Sequence, residues 1–198
     1  MILLTCFDVF GKNSLNSSME VLSEINDNRV EKIILPTKFH ESFKILEDKI
    51  KFTNPSTILM FGQAGGRPSI SFEKIALNVI DTKIPDNNNL KLINKKIENG
   101  SPDGLFTNVD LKKIVKWLNN KKIPCFISYT AGTYVCNYLY YSVLNYIMLY
   151  NQSIKAVFVH LPYITEQVVN QPNIPSAAKP FLVDFVNEII NYFSGNEV

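Results

Sequence analysis

This chain of 198 residues contains three cysteines and two histidines, so a thiol–imidazole pair has few candidate members. Cys136 lies in Tyr129-Thr-Ala-Gly-Thr-Tyr-Val-Cys136-Asn137, which reads as a glycine turn delivering a cysteine into the first turn of an apolar helix. His160 lies in Val157-Phe-Val-His160-Leu-Pro162, which reads as a buried strand that ends on the histidine and is stopped by proline. A cysteine attacks as its thiolate, and an ordinary thiol pKa near ~8.5 leaves only a small thiolate fraction at neutral pH. The positive end of a helix favours negative charge at Cys136. A nearby imidazole can take the thiol proton and return it to a leaving amine. Backbone N–H groups at the same helix start, that of Cys136 included, can receive the developing oxyanion. Together these features point to a cysteine-dependent hydrolase.

Taken singly, each residue has a plainer reading. Most buried cysteines are small apolar packing residues, and His160 alone would be a hydrogen-bonded core histidine. His40, among Lys38, Glu41 and Lys44, reads as a surface residue. Gly62-Gln-Ala-Gly-Gly-Arg67 could cradle a phosphate, as in a flavodoxin-like nucleotide binder. It lacks the Lys-Ser/Thr ending of a P-loop and the G-x-G-x-x-G spacing. Phe7 and Phe10 could line an apolar slot, although aromatic residues after a first strand are usually core. The cysteines Cys6, Cys125 and Cys136 form no C-x-x-C pair and have no metal-ligand spacing with the histidines, so no metal is expected.

These residues need elements to place them. Short apolar runs alternate with segments of helical period, which predicts one domain over 1–198. The expected fold is α/β, a three-layer α/β/α sandwich with an open, largely parallel twisted sheet. The expected strands are Ile2–Thr5, Val30–Leu35, Thr57–Phe61, Ile123–Ser128 and Ala156–His160. Leu111, Ile114, Val115 and Leu118 mark a helix with Thr107 and Asp110 as a capping pair. Phe39, Phe43, Leu46 and Ile50 mark another, and Phe181 to Ile190 a third. Ser71–Val79 is ambiguous by period and reads as an extra strand. Thr82–Thr107 is long and aperiodic, which suggests a binding loop or lid. Ligands of open α/β sheets gather at the carboxyl ends of strands. Cys6 and Phe7, Gln63, Thr130 and His160 all follow or close an expected strand, so they are expected at one sheet edge.

Composition narrows the class further. A net charge of +2 gives no reason to expect nucleic acid or an anionic membrane as partner, and no window is long and apolar enough to span a bilayer. The N-terminus reads as a first strand rather than a signal peptide. With an odd number of cysteines, it points to a reducing cytoplasm.

In order through nearly the whole chain, the motifs resemble the pyroglutamyl peptidase type I (pyrrolidone-carboxylate peptidase) family of cytoplasmic cysteine peptidases. The resemblance runs through Thr5-Cys-Phe-Asp-Val-Phe-Gly11, Gly62-Gln-Ala-Gly-Gly-Arg67, Ser71-Phe-Glu-Lys-Ile-Ala-Leu-Asn78 and Asp81-Thr-Lys-Ile-Pro-Asp-Asn87. It continues through Ala131-Gly-Thr-Tyr-Val-Cys-Asn137 and His160-Leu-Pro-Tyr-Ile-Thr-Glu-Gln167. It implies Cys136 as nucleophile, His160 as base and Glu73 as the carboxylate that orients the imidazole. It also implies a slot in which Phe7, Phe10 and Tyr134 enclose the pyroglutamyl lactam and Gln63 meets its amide. The substrates would be N-terminally pyroglutamylated peptides, cleaved through a thioester without any cofactor. A homo-oligomer, dimer or tetramer, is a further expectation.

The chain departs from the family pattern at Cys6, Val9 and Lys12, where Gly, Pro and a second Gly are usual. Lys83 replaces a usual Arg that is a candidate oxyanion partner; Lys keeps the charge but loses the planar fork. Tyr129 follows Ser128 where the family favours Asn. These departures leave open a degenerate relative that binds pyroglutamyl or lactam ligands without cleaving them.

Overall fold

A computed structural model describes residues 1–11, 14–150 and 152–195. The central sheet has six strands: β1 (Ile2–Phe7), β2 (Val30–Leu35), β3 (Thr57–Gln63), β4 (Ile70–Glu73), β7 (Cys125–Ser128) and β8 (Lys155–Leu161). Their order is β2-β1-β3-β8-β4-β7. Strands β1, β3 and β8 are the apolar runs of the sequence and lie in the middle, buried on both faces as parallel strands require. A small hairpin of β5 (Ile75–Leu77) and β6 (Gly104–Phe106) sits beside the sheet, with a short parallel pair, β9 (Tyr163–Ile164) and β10 (Ser176–Ala177).

Five helices cover the two faces. Helices α1 (Ser17–Ser23), α3 (Leu111–Asn120) and α5 (Lys179–Phe193) pack with Leu4, Leu59 and Val157 of the strands. Helices α2 (Glu41–Thr53) and α4 (Val135–Leu149) pack with Leu3, Ile58, Met60 and Phe158 on the other face. The alternation of side chains along each strand thus divides the core into two clusters. Helix α4 is apolar on nearly every side and is buried accordingly. Local signals set the helix ends. Asp110 caps α3 by accepting from the N–H groups of Lys112 and Lys113 (3.1 and 3.2 Å). Pro180 sits in the first turn of α5, and Asn54, left-handed at φ 44°, ends α2 before Pro55.

The three-layer sandwich and all five expected strands are present, with two corrections that matter for the site. First, β4 runs antiparallel to β8, and β7 pairs parallel with β4. Thr130 therefore follows a strand that runs against β1, β3 and β8, so the common-edge expectation holds for Phe7, Gln63 and His160 but not for Thr130. Second, Ser71–Val79 is two strands rather than one, broken after Glu73. Thr107 does not cap α3. Its hydroxyl donates to Ala156 O at 2.6 Å, tying the segment before the helix to β8.

The stretch from Thr82 to Thr107 is mostly exposed and is tied down by hydrogen bonds. Asn78 holds it through its Oδ1, which accepts from Ile97 and Glu98 N–H, and through its Nδ2, which donates to Glu98 O and Ser101 O. Asp86 Oδ2 accepts from Phe39 N–H at 2.9 Å, and Asp86 Oδ1 closes its own turn.

Candidate active site

At the carboxyl ends of the three central parallel strands, Gly62 pairs with His160, and Phe7 ends the neighbouring β1. A cavity of about 150 Å³ opens here, lined by Phe7, Phe10, Gln63, Tyr134, Cys136 and His160 with Asn16, Thr37 and Ala131. Six of the sequence-nominated residues therefore meet in one place. Cys136 stands in the first turn of α4, and a β-carbon built on Gly62 would lie 3.0 Å from its sulfur. The thiol thus rests against the bare backbone of β3, beside the strand that carries His160.

Glu73 approaches from β4 because that strand is antiparallel to β8. Glu73 Oε1 lies 2.7 Å from His160 Nδ1, and both side chains are buried. Arg67 adds a second charged partner: its Nη1 donates to the same Oε1 at 2.6 Å and also meets Ser71 Oγ. Its Nη2 donates to Thr130 O at 3.1 Å. An ionised carboxylate can only accept, so the imidazole carries its proton on Nδ1, and Nε2 is left as the acceptor.

Burial and charge set the protonation states. Burial lowers the His160 pKa below its ordinary value, Glu73 opposes the shift, and Arg67 adds to it. Burial would raise the Glu73 carboxyl, yet the hydrogen bond and charge of His160, then the Ser128 hydroxyl and the Arg67 charge, hold it below the usual range. Burial, with Glu73 adding, pushes the Cys136 thiol up to about 12 against Arg67 and the backbone of its own turn. Burial thus favours the neutral thiol and the neutral imidazole, while Arg67 and the backbone of its own turn pull the thiol the other way.

The turn that carries Cys136 is braced on both sides. Asn137 Nδ2 donates to Leu77 O (2.8 Å) and Val79 O (3.1 Å), and its Oδ1 accepts from Leu77 N–H. Tyr140, fully buried on α4, donates its hydroxyl to Glu73 O at 2.8 Å. The helix of Cys136 and the strand of Glu73 are therefore fixed to each other.

Gln63 has only one way to face the cavity. Its Oε1 accepts from Ser17 N–H (2.8 Å) and from Gln167 Nε2 (2.7 Å). Gln167 is itself held, accepting from Ile164 N–H and donating to Leu15 O. Gln63 Nε2 is buried without a partner. The side chain thus offers a donor, not the donor-and-acceptor pair that its residue type allows.

The first loop keeps its shape by side-chain bonds where the family pattern has glycine and proline. Asp8 O accepts from Asn16 Nδ2 and Thr37 Oγ1, and Asp8 Oδ1 accepts from Thr37 N–H at 2.7 Å. Asn87 Nδ2 donates to Val9 O at 2.8 Å. The Phe10 and Tyr134 rings contact each other in the cavity lining, centroids 6.1 Å apart, and the Tyr134 hydroxyl donates to Pro85 O. Cys6 packs on the opposite face of the sheet, in the core under α1, and Lys12 lies outside the described residues. Tyr129 is exposed and lines no part of the cavity. Lys83 is also exposed and is not among the residues that line the cavity. Oxyanion donors are to be sought at the start of α4, where first-turn N–H groups have no helical acceptor.

Sequence reasoning passed over Arg67, Gln167, Asp8 and Asn87. All four lie inside quoted motifs, but their partners come from other elements. Among the described residues, no group of three His, Cys, Asp or Glu side chains could hold a metal ion.

Comparison with known proteins matches residues 1–192 to the pyroglutamyl peptidase family profile. Pyrrolidone-carboxylate peptidase 2 of Caldanaerobacter subterraneus is 42% identical over 193 residues, covering 96% of this chain and 94% of that protein. The crystal structure of a pyrrolidone carboxyl peptidase from Fervidobacterium islandicum superposes with a TM-score of 0.92 at 34% identity, covering 98% of each chain. Pyroglutamyl peptidase I of Bacillus amyloliquefaciens gives a TM-score of 0.88 at 34% identity, covering 92% of this chain and 91% of that one.

Proposed function

The chain belongs to the pyroglutamyl peptidase family, and we propose that Cys136, His160 and Glu73 carry its reaction as nucleophile, base and orienting carboxylate. The protein is a cysteine peptidase that removes an N-terminal pyroglutamyl residue from peptides. The observation that carries the residue assignment is the 2.7 Å contact of His160 Nδ1 with Glu73 Oε1, with Cys136 and His160 lining one cavity.

The reaction then runs as follows. Cys136 Sγ attacks the pyroglutamyl carbonyl carbon while its proton passes to His160 Nε2. Glu73 stabilises the imidazolium that forms. The oxyanion is received by N–H groups in the first turn of α4. As the tetrahedral intermediate collapses, the C–N bond breaks and His160 protonates the departing amine. Water, deprotonated by His160, hydrolyses the thioester and frees pyroglutamate and the thiol.

The slot explains the substrate. Phe7, Phe10 and Tyr134 offer flat apolar faces to a five-membered ring, and Gln63 Nε2 donates to the lactam carbonyl. None of the lining residues is a carboxylate, so the ammonium of an unblocked N-terminus would be buried without a counter-ion, which is costly. Rapid-quench mass spectrometry of wild type with pyroglutamyl-alanine tests the assignment. An acyl adduct confined to the Cys136 peptide is expected, and turnover with the adduct on another residue would refute it.

We also place the protein in the cytoplasm, where its free thiols at Cys6, Cys125 and Cys136 stay reduced. No helix among the described residues is long and apolar enough to cross a membrane. We also propose self-association, as the family resemblance implies, with Ile84, Ile93 and Phe106 among the exposed apolar side chains available to a contact. Sedimentation velocity would test it, with a single monomer boundary at micromolar protein as the contrary result.

A further inference from the structure

Glu73 does not act on His160 alone. Its Oε1 is shared between His160 Nδ1 at 2.7 Å and Arg67 Nη1 at 2.6 Å, while its Oε2 is buried without a hydrogen-bond partner. The guanidinium is about one-quarter exposed, so it is the solvent-side member of the array. The chain spends glycines to bring it there. Gly66 takes φ +88°, and a β-carbon on Gly65 would stand 2.3 Å from the Tyr163 ring, so a side chain would strain the backbone at the first and displace that ring at the second. The same fork reaches Ser71 on β4 and Thr130 O on the segment that leads to Cys136.

We infer that Arg67 is a positioning residue that sets which imidazole nitrogen of His160 is free to act as base. This rests on the assignment of Cys136, His160 and Glu73 above. Were Glu73 protonated, its hydroxyl would donate to Nδ1 and drive the imidazole proton to Nε2, where it blocks acceptance of the thiol proton. The guanidinium stands against that state, because a cation donating to Oε1 favours the carboxylate. It also disfavours a resting imidazolium, as both are positive. A lysine at this place would keep the charge and lose the fork to Ser71 and Thr130.

The groups facing His160 are few. Glu73 from β4 and Arg67 from the glycine turn are the charges that act on it, and the titratable neighbours in the cavity are the Cys136 thiol and the Tyr134 phenol, both neutral at pH 7. Removing the Arg67 charge should therefore raise the pH at which His160 protonates. Burial of Arg67 as a mere packing group would not move that pH.

The test is the pH profile of kcat/KM on pyroglutamyl-aminomethylcoumarin for wild type, Arg67→Gln and Arg67→Lys, with melting curves as fold controls. Arg67→Gln is expected to lose about ten- to hundredfold in kcat, the range of a lost charge-assisted hydrogen bond, and to shift the acid limb to higher pH. Arg67→Lys should keep the limb in place at reduced kcat. A folded Arg67→Gln with an unmoved acid limb overturns the inference. If Arg67→Gln does not fold, Arg67→Lys and the wild-type spectrum decide. With only two histidines in the chain, ¹⁵N spectra resolve His160. A neutral His160 protonated on Nε2 in wild type, or a displaced limb in Arg67→Lys, overturns the inference as well. No turnover by wild type would instead refute the underlying assignment, so the two failures are distinguishable.

Discussion

Gly62 and Cys136 share one space: a β-carbon on the glycine would lie 3.0 Å from the sulfur and 2.8 Å from the Phe158 ring. Gly62 pairs with His160 across the sheet, so the missing side chain is what lets the thiol settle beside the imidazole's strand. Gly62→Ala should fold, with Phe158 and the thiol each displaced by a few tenths of an ångström. Misplacement of reacting groups by about 1 Å can cost about a hundredfold, so a loss of roughly tenfold or more in kcat/KM is expected. Steady-state kinetics beside a melting curve would check it, and a folded variant of wild-type rate would show that the packing is unimportant.

Glu73→Gln keeps the shape of the side chain but removes the charge shared by His160 and Arg67. The amide can present either atom to Nδ1, so the imidazole loses its fixed tautomer. A fall of about 10²–10⁴ in kcat is expected, comparable to loss of the orienting carboxylate in other triads, with KM changed far less. A predominant rise in KM would mean that Glu73 serves binding rather than the base.

Stability should fall on the acid side, and the sign follows from two groups. His160 has a folded pKa below its ordinary 6.5, so the unfolded chain takes up a proton first as pH drops below 6.5. Glu73 has a folded pKa below its ordinary 4.5. Its contribution is present above 4.5 and is lost as pH falls through the folded value. Both terms make unfolding easier with acid. Melting temperature should therefore decline below about pH 6.5, and His160→Gln should flatten the upper part of that decline. An unchanged slope in the variant would remove His160 from the account.

The proposed lactam recognition hangs on a donor. Gln63 Oε1 is already taken by Ser17 and Gln167, leaving Nε2 for the ligand. Gln63→Glu cannot donate there and places a carboxylate before a carbonyl. Its kcat/KM for pyroglutamyl-aminomethylcoumarin should drop about ten- to hundredfold, while prolyl-aminomethylcoumarin, a cationic ring without the carbonyl, should gain relative to it. A substrate ratio identical to that of wild type would contradict this role.

The sandwich was legible because long apolar runs and helical stripes are strong signals, but strand direction was not. A short alternating segment such as Ile70–Glu73 reads the same in either sense, and it is the antiparallel setting of β4 that brings Glu73 to His160. Cys136 and His160 could be picked from the sequence because their residue types are scarce and a glycine turn and a proline bracket them. Glu73 stood out only through the family resemblance, since its partner lies 87 residues away. Arg67 and Gln167 were quoted inside motifs without a role, as their hydrogen bonds reach across to β4 and to Gln63. Lys83 was nominated because the family's usual Arg stands at its place, and the fold leaves Lys83 exposed and outside the cavity lining.

The most direct test is release of aminomethylcoumarin from its pyroglutamyl derivative by purified, reduced protein, measured beside a folded Cys136→Ala variant. Steady turnover by wild type and none by the variant is the expected result. Turnover retained in Cys136→Ala, or none in folded, reduced wild type, would contradict it.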